Sequence, residues 1–130
     1  MEVQSLAHLV ELGPGVRTSV ELTRINEMRD ILPRVSGVYF LWDGRMPVYI
    51  GCGVDIGARV WTHLREQRDA INGRWLGKKW DFANWLECPP EEREFIEAKY
   101  IYTYLPKYNG TLSLSALRKQ AGYLRYEKVA

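Results

Sequence analysis

Cysteine and histidine are scarce in this chain of 130 residues, which holds two of each. Cys52 and Cys88 make no metal-ligand spacing, and two cysteines make no disulfide framework. A structural zinc site and a disulfide-stapled scaffold are thereby excluded. Long apolar runs are missing too, none approaching the roughly 20 residues that span a bilayer. The first residues lack the basic stretch followed by an apolar one that marks a secretory signal. A soluble cytoplasmic protein with reduced thiols and no membrane partner is therefore expected. Neither charge sign dominates: 18 Lys and Arg stand against 16 Asp and Glu, and a net charge of +2 says little about partners. No internal repeat and no low-complexity segment appears.

Apolar and aromatic surface is abundant. Hydrophobic residues make up 46% of the chain and aromatics 12%, with five tryptophans and eight tyrosines. That content argues for a folded globule, and the length fits one domain with a real core. The charge is uneven along the chain. Residues 59–79 hold six basic side chains (Arg59, Arg65, Arg68, Arg74, Lys78 and Lys79) against Glu66 and Asp69. A basic stripe on a near-neutral body is an electrostatic footprint for a polyanion. Its bland alternative is a solvated helix face followed by a polar loop.

The periodicity lays out the elements in order. Residues 3–12 have helical spacing, stopped by Gly13-Pro14-Gly15, and His8 there is a surface or packing histidine. Residues 19–32 give a second helix with Ile25, Met28, Ile31 and Leu32 as its apolar stripe, ended by Pro33. Residues 1–33 are thus expected to form a helical extension packed on a domain of residues 34–130. Residues 36–42 and 46–51 are β-branched and aromatic runs around an Asp43-Gly44 turn signal, hence a hairpin. Residues 55–68 follow as a helix with Asp55 as N-cap, burying Ile56, Val60 and Leu64. Arg59 and His63 share one flank of it, four residues apart.

Residues 80–88 alternate as a third strand. Pro89-Pro90 followed by Glu91-Glu92 starts a helix that runs to about Tyr104, before Pro106. The tail holds a helix candidate near 114–120 and a weak strand near 123–129. Without regular βαβ alternation, a compact α+β domain is expected.

Several chemistries can be weighed on these residues. Gly51-Cys52-Gly53 and Gly57 come close to a dinucleotide fingerprint, but the last glycine is one residue late and the strand belongs to a hairpin. A Cys52–His63 nucleophile pair lacks any sign of a lowered thiol pKa. Taken singly, Tyr39 and Tyr49 are core residues, Arg59 and His63 are surface residues, and Glu97 is one carboxylate among Glu91, Glu92 and Glu94. Their joint order and spacing carry more.

Gly37-Val38-Tyr39, then Tyr49-Ile50-Gly51, then Arg59, His63 and Glu97, and finally Pro106-Lys107-Tyr108-Asn109, resemble the GIY-YIG nuclease family. The match spans residues 36–110, with valine in place of isoleucine in the first motif. The interval from Glu97 to Asn109 is similar to that in the incision subunit of bacterial nucleotide excision repair. The resemblance implies a small sheet of three antiparallel strands flanked by helices. It also implies a single divalent metal, magnesium or manganese, and hydrolysis of a DNA phosphodiester.

The implied roles are Glu97 as metal ligand, Arg59 as phosphate clamp and Tyr39 as general base. Tyr49 and His63 would orient water and help move the proton, and Asn109 would support the site. Arg65, Arg68, Arg74, Lys78 and Lys79 are the basic residues expected to meet DNA beyond it. Phosphodiester cleavage needs these groups: a metal to polarise the phosphate, a cation for developing charge, and a route for the proton of water. A non-catalytic nucleic-acid-binding module on the same fold is the alternative, and a nucleotide-using enzyme is a distant third. Target, strand preference, pathway and oligomeric state are left open.

The hairpin carries one geometric expectation. Opposed residues lie on the same sheet face. If both phenols serve one site, the loop holds an odd number of residues or a bulge intervenes. A three-residue loop, residues 43–45, would put Tyr39 opposite Tyr49.

Overall fold

The computed structural model describes residues 15–69 and 79–109. Its core is a four-stranded antiparallel sheet of β1 (Val16–Arg17), β2 (Gly37–Asp43), β3 (Met46–Gly53) and β4 (Phe82–Glu87), in the order β1-β4-β2-β3. The expected count of three strands is short by one. The addition is β1, which pairs Val16 with Ala83 and Arg17 with Phe82. Two residues are too few to show any alternation, so the sequence carried no sign of it.

Between β1 and β2 the expected single helix is divided. It comprises α1 (Thr18–Glu21), a 3-10 turn (Leu22–Arg24) and α2 (Ile25–Ile31). The other two helices are α3 (Ile56–Arg68) and α4 (Pro90–Tyr104), followed by a 3-10 turn, Lys107–Asn109. Asp55 caps α3 as expected: its Oδ1 accepts from the Ala58 N–H at 3.0 Å, and Arg34 Nε approaches its Oδ2 at 2.7 Å. Proline occupies the first turn of α4 with Glu91 and Glu92 beside it, a start favoured by the helix dipole. The proposed elements at 3–12, 114–120 and 123–129 lie outside the described residues.

The sheet has a core on each face. One joins Tyr39, Leu41 and Ala83 to Ile56, Val60 and Leu64 of α3 and to Ile25, Met28 and Leu32. The other joins Val38, Phe40, Trp42 and Ile50 to Ile101 of α4. Burying both faces explains why β2 reads as an unbroken apolar run rather than an alternation. A Trp61 Nε1–H to Ile25 carbonyl bond of 2.7 Å ties α3 to α2. Buried Trp42 donates its Nε1–H to Asn84 Oδ1 at 2.8 Å, so neither polar atom is lost inside.

The hairpin register differs from the three-residue loop. Asp43 pairs with Met46, leaving the two-residue loop Gly44 and Arg45. A bulge then shifts the ladder between Leu41 and Trp42, so that Trp42 faces Pro47, Leu41 faces Tyr49 and Tyr39 faces Gly51. The extra residue, Val48, restores the parity that a two-residue loop alone would break. Tyr39 and Tyr49 therefore share a face, diagonally rather than directly opposed.

Candidate active site

Four of the expected residues meet on the α3 side of the hairpin. Tyr39 and Tyr49 ring centroids are 6.1 Å apart, and the His63 ring lies 5.4 Å from the first and 5.2 Å from the second. Tyr39 Oη is 2.8 Å from His63 Nε2. The Arg59 guanidinium and the Tyr49 phenol lie near enough to the same phenol to act on its titration, in opposite directions. Helical spacing brings Arg59 and His63 to this face, and the bulge brings the two phenols.

Burial divides the group. Tyr39 has no exposure and His63 only 2%, whereas Tyr49 is half-buried and Arg59 exposed. Burial pushes the Tyr39 phenol well above its ordinary pKa and the Tyr49 phenol adds to this, against a smaller opposing pull from the Arg59 charge. Tyr39 in turn holds the Arg59 guanidinium above its usual value. Water can reach this cluster at Tyr49 and Arg59 but not at Tyr39. The assignment of Tyr39 as the group that meets water sits poorly with that burial.

Glu97 comes from α4 and lies near Cys52 of β3. Burial raises its carboxyl above the usual range; a hydrogen bond from Cys52 and the charges of Arg59 and Arg93 oppose this. Arg59 or water was the partner expected for it; the Arg59 charge does act on it, and the Cys52 thiol acts beside it. Burial followed by the Glu97 charge pushes that thiol up to about 11, so it stays protonated at neutral pH and serves as a donor. Nothing in the sequence linked Cys52 to Glu97, because they lie on β3 and on a helix more than forty residues later; Arg93 stands four residues before Glu97 on α4, a helical spacing that the sequence does show.

Asn109 acts on backbone. Its Oδ1 accepts from the Ile50 N–H at 3.0 Å, and its Nδ2 donates to the Ile50 carbonyl at 2.9 Å. The amide thus imitates a neighbouring strand along β3, the edge of the sheet, beside Tyr49. It holds the phenol's strand in place without belonging to the polar cluster.

The basic residues beyond the cluster are dispersed. Arg65 lies over the Trp61 ring at 4.9 Å, and Arg29 also lies over that ring at 5.5 Å. Arg68 pairs with Asp69 at 2.9 Å, and Lys79 Nζ is 3.9 Å from Asp43. Arg74 and Lys78 lie outside the described residues. A further acid, Glu66, was overlooked: its Oε1 is 3.7 Å from His63 Nδ1. The signal for it was the three-residue spacing from His63 on one helix.

As a metal site, the donor set is sparse. Among the described residues no group of three or more His, Cys, Asp or Glu side chains could hold an ion. A zinc or calcium cage does not fit. A magnesium-like ion does, since one carboxylate with waters and a substrate phosphate suffices for it. No helix among the described residues is long and apolar enough to cross a membrane.

No protein-family model and no curated protein matches this sequence. Solved structures do. One is the GIY-YIG N-terminal endonuclease domain of UvrC from Thermotoga maritima bound to its catalytic divalent cation, magnesium. It matches with a TM-score of 0.52 and 26% identity, over 65% of this chain and 94% of that one. An asparagine-to-alanine point mutant of the same domain, bound to its catalytic divalent cation, gives a TM-score of 0.52 and 26% identity. That match covers 65% of this chain and 93% of the other.

Proposed function

We propose that this chain, which has the fold of the GIY-YIG nucleases, is a divalent-metal-dependent endonuclease that hydrolyses DNA phosphodiester bonds. The observation that carries this is the convergence around one phenol, Tyr39, of His63, Arg59 and Tyr49. The similar endonuclease domains hold a catalytic divalent cation, magnesium in one of them. Here Glu97 would hold the ion, magnesium or manganese, which would supply Lewis-acid polarisation of the phosphate.

The remaining work falls to the side chains. Exposed Arg59 clamps the scissile phosphate, where its planar fork suits two oxygens. Tyr49, the phenol within reach of solvent, takes the proton of the attacking water. It passes its own hydroxyl proton to Tyr39, and Tyr39 passes its own to His63 Nε2. The hydroxide oxygen bonds to phosphorus as the bond to the leaving oxygen breaks, and that oxygen takes a proton from solvent. A phenol has an ordinary pKa of about 10 and is a poor base alone at neutral pH. Handing the proton inward to an imidazole removes that difficulty. The role first given to Tyr39 is thus divided between two phenols, with Tyr39 behind Tyr49.

DNA contact beyond the phosphate would involve Arg65, Arg68, Arg74, Lys78 and Lys79. The test is nicking of supercoiled plasmid in magnesium. Wild type should nick, and Tyr49→Phe and Tyr39→Phe should each lose about 10²-fold or more in rate at unchanged plasmid affinity. Nicking at the wild-type rate in both variants would overturn the relay.

A further inference from the structure

Tyr39 Oη has one proton and two lone pairs to share among three neighbours. Arg59 can only donate, so any bond from it would take one lone pair. One proton and one lone pair remain for His63 and Tyr49. Which way they run depends on the His63 tautomer, and that depends on what faces Nδ1.

Glu66 faces it. This acid lies one helical turn beyond His63 on α3, with its Oε1 at 3.7 Å from Nδ1. That oxygen is buried and has no hydrogen-bond partner, although the side chain as a whole is 26% exposed. A buried carboxylate oxygen left unmatched is costly, so its position beside the imidazole calls for a reason. The separation is slightly beyond hydrogen-bond length. Catalytic hydrogen bonds are often long in a ligand-free site and tighten when substrate arrives.

We infer that Glu66 is a positioning residue that keeps the His63 proton on Nδ1 and so sets the direction of the relay. This rests on the nuclease reading above. With Nδ1–H aimed at Glu66, Nε2 is left as an acceptor, and Tyr39 must donate its proton there. The remaining lone pair of Tyr39 then accepts from Tyr49. Tyr49, with its proton committed inward, presents a lone pair outward to water. When the proton reaches Nε2 the ring becomes an imidazolium, and the Glu66 charge stabilises it. The logic is that of the acid in a serine-protease triad, which fixes a tautomer without taking the proton itself. With the opposite tautomer the phenol chain would point outward and could not accept a proton from water.

Two measurements on the full chain test this. The first is nitrogen NMR of 15N-histidine-labelled protein, with His8→Gln used to assign the two histidines. Wild-type His63 should carry its proton on Nδ1, and Glu66→Ala should move it to Nε2. The second is plasmid nicking under magnesium at saturating DNA. Glu66→Ala should lower the rate on the order of 10- to 100-fold, less than the loss of a general base itself, with plasmid affinity unchanged. Glu66→Gln, whose carbonyl can still accept from Nδ1, should keep the wild-type tautomer and recover part of the rate.

Circular dichroism of each variant separates a folding defect from a relay defect. A wild-type ring protonated on Nε2 would overturn the proposal, as would a Glu66→Ala variant with unchanged tautomer and rate. If wild type nicks no plasmid, the nuclease reading fails, and the NMR result alone still decides the link between Glu66 and His63.

Discussion

Gly51 stands directly opposite Tyr39 across the β2–β3 ladder, and the Tyr39 phenol lies over it where a side chain would be. The atoms nearest a methyl group at 51 would be Tyr39 Oη, Cζ and Cε1. The glycine that ends the second motif therefore makes room for the tyrosine of the first. Tyr39 is fully buried and tied to His63 at 2.8 Å, so it has little freedom to yield. Gly51→Ala should cost about 1–3 kcal/mol by overpacking. It should also reduce nicking by more than that loss of folded protein explains, because Tyr39 is pushed from His63. Denaturant unfolding and single-turnover nicking, measured together, check this.

Glu97 makes a prediction about pH. Its carboxyl is raised in the folded protein, chiefly by burial. The folded state therefore binds this proton more tightly than the unfolded chain does. The stabilising contribution is fully present below the unfolded carboxylate pKa and is lost as pH rises through the raised folded value. At neutral pH the metal-free protein carries the cost of an ionised, partly buried carboxylate. Glu97→Gln should therefore raise Tm at pH 7 without metal and lessen the stabilisation that wild type shows on acidification. Magnesium should raise Tm of wild type but not of the variant. Thermal unfolding at several pH values, with and without magnesium, measures all three.

The parts legible in the sequence were those with local punctuation or long periods. The bounds of α4 follow from Pro89-Pro90 at its start and Pro106 just past its end. The face of α3 follows from a 3.6-residue stripe with an aspartate cap. The register of the hairpin did not follow, because parity fixes a face but not a pairing. Gly44 takes the first loop position at a φ of 64°, a glycine-first turn, and the bulge at Val48 corrects the face.

Long-range partners were invisible for the same reason. Glu97 with Cys52, and Asn109 with the Ile50 backbone, are contacts between distant elements that no spacing encodes. Glu66 was hidden differently, as one acid inside a basic stretch.

The basic residues outside the cluster should govern affinity more than rate. Arg65 and Arg68 are already engaged with Trp61 and Asp69, while the Lys79 side chain is 76% exposed. The double variant Lys78→Ala with Lys79→Ala should weaken DNA binding and reduce the slope of log affinity against log salt by about 1–2, since each phosphate contact releases counterions. Nicking at saturating DNA should persist. Binding measured across a salt series decides it, and an unchanged slope would mean that these lysines touch no phosphate.

The most direct measurement on the central claim is plasmid nicking by two matched variants of α4. Glu97→Gln and Glu94→Gln each remove one charge and keep one shape, three residues apart on the same helix. Glu94 is exposed, whereas Glu97 is half-buried between Cys52 and the Arg59 charge. In magnesium, wild type and Glu94→Gln should nick supercoiled plasmid at similar rates. Glu97→Gln should not nick, yet should bind the same DNA and fold. Nicking that survives in Glu97→Gln, or that is lost in Glu94→Gln alone, would contradict the assignment of Glu97 as the residue that holds the metal.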